Sequence, residues 1–253
     1  MSQENTLKTK FNASEGEQSF RGDLKDLYKA CPIIEDELFM NLPLFTNRQN
    51  LSHILYMNEL YQQITSVHGV IFELGVRWGR NLALYESFRG IYEPYNHNRK
   101  IVGFDTFCGF PSVDVKDGES DVIKVGAYSV TDDYDKYLEE ILNYHEKESP
   151  ISHIKKFELR KGDAVVEVER YLEEHQETIV SLAYFDFDIY EPTKRCLDLI
   201  KNRLTRGSII AFDELNCSDY PGETRAVMET FGLDKYKINH SKFSPTQSYI
   251  VID

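Results

Sequence analysis

Cysteine is scarce in this chain. Cys31, Cys108, Cys196 and Cys217 are spread over 253 positions without a C-x-x-C pair. That spacing excludes a zinc ribbon and a small disulfide framework, and it implies free thiols in a reducing compartment. Positive charge is also in short supply. Against 42 acids stand only 29 lysines and arginines, a net charge of −13. The chain therefore lacks the basic footprint of a nucleic-acid binder and the polybasic patch of a membrane-surface protein. No apolar run approaches the roughly 18 residues that a membrane helix needs. The opening segment MSQENTLKTKFNASEGEQ is polar and has no apolar stretch of the kind found in a secretory signal. The expected compartment is the cytoplasm. G-x-G-x-x-G, H-E-x-x-H and G-x-S-x-G are all missing, and the seven histidines lie in unrelated contexts.

What is present suits a folded enzyme-sized domain. Hydrophobic residues make 41% and aromatics 13%, enough for a large core without a staple. Residues 1–66 read as a polar arm followed by a helical extension. Residues 1–22 are polar, apolar clusters run from Leu24 to Met40, and NLPLFTNRQN reads as a turn and cap. After Asn47, the residues Leu51, Ile54, Leu55, Leu60 and Ile64 recur near helical spacing. No chemistry is evident in this extension. It is expected to pack across a subunit interface or over an active site, which makes the protein a homo-oligomer.

From 67 to 253 the texture changes to alternating strands and helices. Strands are expected at 70–74, 101–104, 157–159, 179–185 and 208–212, with helices at 79–90, 132–147, 163–175, 191–203 and 222–231. Two more strands, 236–239 and 249–252, follow each other directly and imply a hairpin. The unbroken apolar strands are those of a sheet buried on both faces. The fold class is α/β, a seven-stranded, mostly parallel, doubly wound sheet with an antiparallel edge and an N-terminal helical extension.

In such a sheet, ligands sit beyond the carboxyl ends of the strands. The first strand ends in Glu73-Leu74-Gly75-Val76-Arg77-Trp78-Gly79-Arg80-Asn81. Two glycines rather than three argue against a dinucleotide, while an acid at the strand end suits a cationic ligand. A plain tight turn would explain the segment equally well. Asp105 ends the second strand, where a carboxylate commonly accepts from a ribose diol, or caps a turn. Asp163 follows the third, placed to meet an adenine amino group or to cap the next helix. Together Glu73, Gly75, Asp105 and Asp163 outline a nucleoside pocket.

The fourth and fifth strands carry the strongest signal. Phe185-Asp186-Phe187-Asp188 and Phe212-Asp213-Glu214 bring four carboxylates to one end of adjacent strands. Packed together, such groups repel one another and resist desolvation. A hard divalent cation with its preference for oxygen removes both penalties. Helix caps and exposed loop acids are the plain alternative. If 186–188 stays extended, Asp186 and Asp188 point to one side and could share a site while doing different jobs. The segment 106–130, with Gly109, Pro111, Gly118 and Gly126, is long for a connection and is a candidate lid.

These strand ends resemble class I S-adenosylmethionine-dependent methyltransferases, and more narrowly the macrocin O-methyltransferase family, which methylates sugar hydroxyls with magnesium. The likeness rests on FELGVRWGRN at 72–81, GFDTFCGFP at 103–111, YFDFDIYEPTKRCL at 184–197 and AFDELNCSDYPGETRAVMETF at 211–231, in the right order over residues 50–253. The resemblance implies that Glu73, Gly75 and Gly79 hold the methionine end of the cofactor, with Asp105 at the ribose and Asp163 near the adenine. It implies Asp186, Asp213 and Glu214 as ligands of Mg2+, and Asp188 as the general base. Two positions depart from the family pattern: Asp213-Glu214-Leu215 replaces the more usual Asp-Asp-Tyr, and Arg77-Trp78 reverses the usual Trp-Arg. The expected activity is methyl transfer from S-adenosylmethionine to a hydroxyl of a saccharide or other polyhydroxylated small molecule. A nicotinamide-dependent oxidoreductase on a related sheet and a non-catalytic nucleoside-binding protein are the alternatives. The missing third glycine counts against the first and the intact acids against the second.

Overall fold

The computed structural model describes residues 14–253, so the first 13 residues of the expected polar arm lie outside the described residues. The chain divides into two compact units, residues 1–54 and 55–253. The first contains α1 (Glu15–Lys29), α2 (Glu35–Met40), a single 3-10 turn (Leu42–Phe45) and the start of α3 (Arg48–Ile64). Asn47 caps α3 as the sequence implies: its Oδ1 accepts the Asn50 backbone N–H at 2.8 Å. No residue of α2 or of the 3-10 turn is buried. The structure therefore puts the unit boundary inside α3.

The second unit is the sheet. Its strands are β1 (Val70–Leu74), β2 (Ile101–Asp105), β3 (Phe157–Lys161), β4 (Val180–Phe185), β5 (Leu204–Phe212), β6 (Ile238–His240) and β7 (Ser248–Val251). They alternate with α4 (Arg80–Tyr92), α5 (Tyr134–Glu148), α6 (Ala164–Glu174), α7 (Tyr190–Ile200) and α8 (Pro221–Phe231). The spatial order is β3-β2-β1-β4-β5-β7-β6. The first five strands are parallel, and β7 runs antiparallel to both β5 and β6. This is the expected seven-stranded, doubly wound sheet. All six residues of β4 are buried, as a central strand covered on both faces requires. One strand begins earlier than its apolar run: β5 starts at Leu204, paired with Val180, and a register shift carries it into the Ile209–Phe212 stretch. Gly207 takes φ +85° there, a conformation in which an apolar run is not readable.

Below the sheet, Arg99 ties the pieces together. It is almost fully buried, and its guanidinium forks onto Glu93 at 2.8 and 3.0 Å. It also donates to the carbonyls of Ile64 and Val67, each at 2.9 Å. A buried arginine is tolerable only when its donors are met in this way. The link from α3 into β1 is thereby fixed, and with it the register of the strands that carry the site. All four cysteines are free thiols, of which only Cys196 is buried. No described helix is long and apolar enough to cross a membrane.

Candidate active site

The sheet order reverses between β1 and β4, and a cleft of about 220 Å3 opens at the carboxyl ends of the strands there. Gly75, Asp105, Asp163, Asp186, Asp188, Asp213 and Glu214 all line it. Seven of the nine residues singled out in the sequence thus share one cleft. Glu73 and Gly79 lie outside its walls. Glu73 points inward, almost fully buried, with Oε2 unpaired. Burial holds its carboxyl well above the usual range, against a hydrogen bond from Asn81. Gly79 has φ +74° and starts α4; a Cβ there would come within 2.4 Å of Leu138 on α5. The left-handed φ favours glycine there, and a side chain would also have to displace the end of Leu138. Gly75 is required for another contact: at φ +97°, a Cβ would sit 2.1 Å from the Asp186 carbonyl oxygen. That closeness presses the β1 turn onto the β4 turn, and the two acid-bearing loops meet.

Asp105 organises the first turn. Its Oδ2 accepts the backbone N–H groups of Val76 and Arg77, both at 2.7 Å, and its Oδ1 accepts that of Phe107 at 2.6 Å. One carboxylate therefore fixes both turns that flank the cleft. Asp163 caps α6, its Oδ1 accepting from Val165 and Val166 at 2.9 and 3.2 Å, and it reaches the cleft from that position.

The carboxylate cluster is denser than the sequence implies. Extended geometry does not continue through 186–188: Asp188 has φ +62°, and the chain turns there into α7. The turn keeps Asp188 with its neighbours, and ligand oxygens of Asp186, Asp188 and Glu214 all lie within 4.8 Å of one another. Asp213 stands beside them with Oδ1 occupied, accepting from the Tyr184 hydroxyl and, at 2.6 Å, from Gln247. Glu223, which the sequence reading did not single out, is a fifth member. It is fully buried in the first turn of α8, accepts the Glu214 N–H at 3.2 Å, and leaves Oε1 unpaired. Pro221 marks the start of α8 and so makes Glu223 a first-turn acid, but no local signal says which way it faces.

Burial, with mutual repulsion, pushes the carboxyls of Asp186, Glu214 and Glu223 well above their ordinary values. Asp188 is raised by burial as well, although a hydrogen bond with Glu214 and the charge of Arg77 offset part of this. Two buried carboxyls sharing a proton is what such packing produces when no cation separates them. The donor set, all oxygen and partly unpaired, fits a hard divalent cation. Glu214 keeps Oε2 buried and unpaired, whereas Oδ1 of Asp213 is committed.

The expected lid walls the cleft and is fastened down. Phe110 N–H donates to the Ala127 carbonyl at 3.0 Å and Gly126 N–H to that of Phe110 at 2.9 Å, closing the base of the loop. At its far side Asp117 is buried, and its Oδ1 accepts the Tyr190 N–H at the start of α7. Gly109, Phe110, Pro111 and Tyr128 of this segment line the cleft.

Neither family models nor curated proteins give a match to the chain. Solved structures do. One described as CalS11, a calicheamicin methyltransferase, superposes with a TM-score of 0.92 at 40% identity, over 99% of this chain and 98% of that one. Another, an apo CalS11 described as a TDP-rhamnose 3′-O-methyltransferase of calicheamicin biosynthesis, has a TM-score of 0.84 at 39% identity, over 95% and 96%. The O-methyltransferase NovP shares the fold at a TM-score of 0.52 and 16% identity, over 78% of each chain. With two-fifths of its residues matched over nearly the whole of both chains, this chain belongs to the class I S-adenosylmethionine-dependent O-methyltransferases, in the macrocin O-methyltransferase family that its strand-end motifs resemble.

Proposed function

We propose that the protein transfers a methyl group from S-adenosylmethionine to a hydroxyl of a saccharide, with a divalent cation, Mg2+, held by Asp186, Asp213 and Glu214 and with Asp188 as the proton acceptor. The observation that carries this reading is the buried carboxylate cluster at the switch point of the sheet, on a chain 40% identical to CalS11. The relative acts on TDP-rhamnose, so the acceptor class to test is a deoxyhexose carried on a nucleoside diphosphate. The cofactor's place is the side of the cleft formed by Gly75, Asp105 and Asp163.

Bound there, S-adenosylmethionine would supply an activated methyl group and the cation a positive charge beside the acceptor oxygen. The chain contributes the rest. Asp188 sits at a strained turn between two elements, so its carboxylate is held in place before any acceptor arrives. A sugar hydroxyl is a weak nucleophile until its proton has somewhere to go, and Asp188 receives it. Phe110, Phe187 and Ile189 wall the cleft and limit the water that competes for the reacting groups. Family membership removes the ground for an oxidoreductase, and the intact acids favour catalysis over mere binding.

The test is methyl transfer to TDP-rhamnose with magnesium titrated, for the wild type, Asp186→Asn and Asp188→Asn. EDTA should abolish turnover. Loss in Asp186→Asn should be partly restored by excess magnesium. Asp188→Asn should lose roughly 10²–10⁴ in rate, the usual worth of a general base, without recovery. Turnover that survives EDTA rules the cation out. Rescue of Asp188→Asn but not of Asp186→Asn exchanges the two roles, as the closeness of Asp188 to Asp186 and Glu214 would then explain.

A further inference from the structure

One wall of the cleft has chemistry that the carboxylates cannot supply. Ionised carboxylates only accept hydrogen bonds, whereas a polyol presents hydroxyls that must both donate and accept. Facing the acids is Tyr128, at the base of the 110–127 loop. It lines the cleft, and its hydroxyl lies 2.6 Å from that of Tyr220, the residue before α8. The Arg77 guanidinium stacks on its ring, 4.8 Å from the centroid, and the Phe110 ring lies 5.3 Å away. Tyr128 has φ +63° and Arg77 φ +49°. Two bulky residues held in the left-handed region and stacked on each other are an arrangement that the surroundings must enforce. The phenol of Tyr128 is also near the reacting end: besides burial, the charges of Asp188 and Glu214 raise it.

We infer that Tyr128 is an acceptor-positioning residue, whose ring lies under Arg77 and whose hydroxyl, held by that of Tyr220, bonds the sugar hydroxyl neighbouring the one that is methylated. This deepens the reading under Proposed function and rests on it. A phenol has one proton and two lone pairs, so the bond to Tyr220 leaves capacity for a sugar hydroxyl. The ring beside Phe110 offers an apolar face to the C–H side of the same sugar. Tyr220 is absent from the lining and acts through Tyr128. Arg77 gives the wall its charge, and the reversed Arg77-Trp78 order places it there while Trp78 turns outward against Tyr134, with ring centroids 4.7 Å apart.

The experiment compares the wild type, Tyr128→Phe and Tyr220→Phe with TDP-rhamnose and with its analogues lacking the hydroxyl on either side of the methylated one. Both KM and kcat are measured, together with acceptor affinity by calorimetry in the S-adenosylhomocysteine complex. Tyr128→Phe should weaken the acceptor about three- to tenfold, the worth of one neutral hydrogen bond, with kcat within about twofold and cofactor affinity unchanged. One deoxy analogue should bind the wild type and Tyr128→Phe equally, because the bond is already lost. Tyr220→Phe should shift in the same direction by less, and the double variant should be no worse than Tyr128→Phe. Unchanged acceptor affinity in Tyr128→Phe, or losses that multiply for both analogues, overturn the assignment. Loss of cofactor affinity together with melting temperature makes Tyr128 a structural clasp and also overturns it. A wild type that methylates no saccharide refutes the proposed function, and this inference falls with it; an active wild type with an indifferent Tyr128→Phe refutes the inference alone.

Discussion

In the middle of α4, Glu86 is fully buried, and neither carboxylate oxygen has a hydrogen-bond partner. Burial, with Glu146 nearby and against the opposing charges of Arg89 and Lys156, pushes its carboxyl from 4.5 up to about 8. The sign of the resulting pH dependence is opposite to that of a salt-bridged acid. Between the two values the folded protein binds a proton that the unfolded chain has released. Stability therefore falls as pH rises across that window, by about 1.4 kcal/mol per unit. It is fully present below about pH 4.5 and shows no further loss above about pH 8. At pH 7 the penalty is roughly 3 kcal/mol, from 2.5 units of that slope. Glutamine has the shape of the neutral acid and cannot ionise. Its amide leaves polar atoms unpaired at a cost of about 1–3 kcal/mol, which sets the offset between the two proteins but not its slope. The stability of Glu86→Gln relative to wild type should thus grow by about 1.4 kcal/mol per unit from pH 5 to 8 and then level off. Urea unfolding at half-unit pH intervals measures this, with the m-value checking that both proteins expose the same surface. Parallel stability curves across that range would show that Glu86 is ionised in the folded state, and the reasoning from burial would fail.

Three other outcomes follow from the geometry. Asp105→Ala should release the turn that it holds through the Val76 and Arg77 amides; calorimetry should show S-adenosylhomocysteine binding weakened at least tenfold, and unchanged affinity would remove Asp105 from the cofactor side. Asp117→Ala deletes the cap on Tyr190 N–H and should cost about 1–2 kcal/mol; trypsin should then cut at Lys116 or Lys124 much faster than in the wild type. Finally, Ile34, Phe39 and Met40 are 66%, 68% and 78% exposed on helical turns with no buried residue, which we propose are covered by a second copy of the chain; light scattering should show a dimer or larger that Phe39→Asp with Met40→Asp dissociates, and a monomeric wild type would refute it.

The sheet was legible in the sequence because a buried parallel strand has to be apolar throughout. Val180–Phe185 could be read for that reason, and so could the turn glycines and the acids that follow. What escaped was set by contacts between distant segments. Glu223 lies nine residues after Glu214 and looks like an ordinary first-turn acid of a helix; only the packing of α8 against the strand ends turns it inward. Asp117 looks like a loop acid until it meets Tyr190, 73 residues away. The role of Gly79 was hidden in the same way, since its neighbour Leu138 belongs to another helix. Asp188 escaped for a local reason: a φ of +62° at a residue between two apolar side chains has no periodic signature, so extended geometry was the natural expectation.

The two departures from the family pattern have physical answers in the cleft. Glutamate at 214 has a longer arm than the usual aspartate, which by itself would carry its carboxylate further from Asp186 and Asp188. Here the backbone compensates: the Glu214 N–H is drawn toward Glu223, and the side chain still presents an oxygen within 4.8 Å of Asp186 and Asp188. Its Oε2 is buried and unpaired, an arrangement that costs stability and that folding alone gives no reason to keep. Leu215, where tyrosine is usual, is buried and offers no hydroxyl; Tyr184 and Gln247 donate to Asp213 from β4 and from the segment before β7 instead. The reversed Arg77-Trp78 pair works similarly. Asp105 grips the Arg77 amide and the left-handed turn directs the guanidinium over Tyr128, so a positive charge stands in the same cleft as the acids. Each substitution thus changes which element supplies a group while leaving the group in the cleft. A site can tolerate that exchange when its chemistry needs a carboxylate oxygen, a hydroxyl and a cation at given places rather than from given strands.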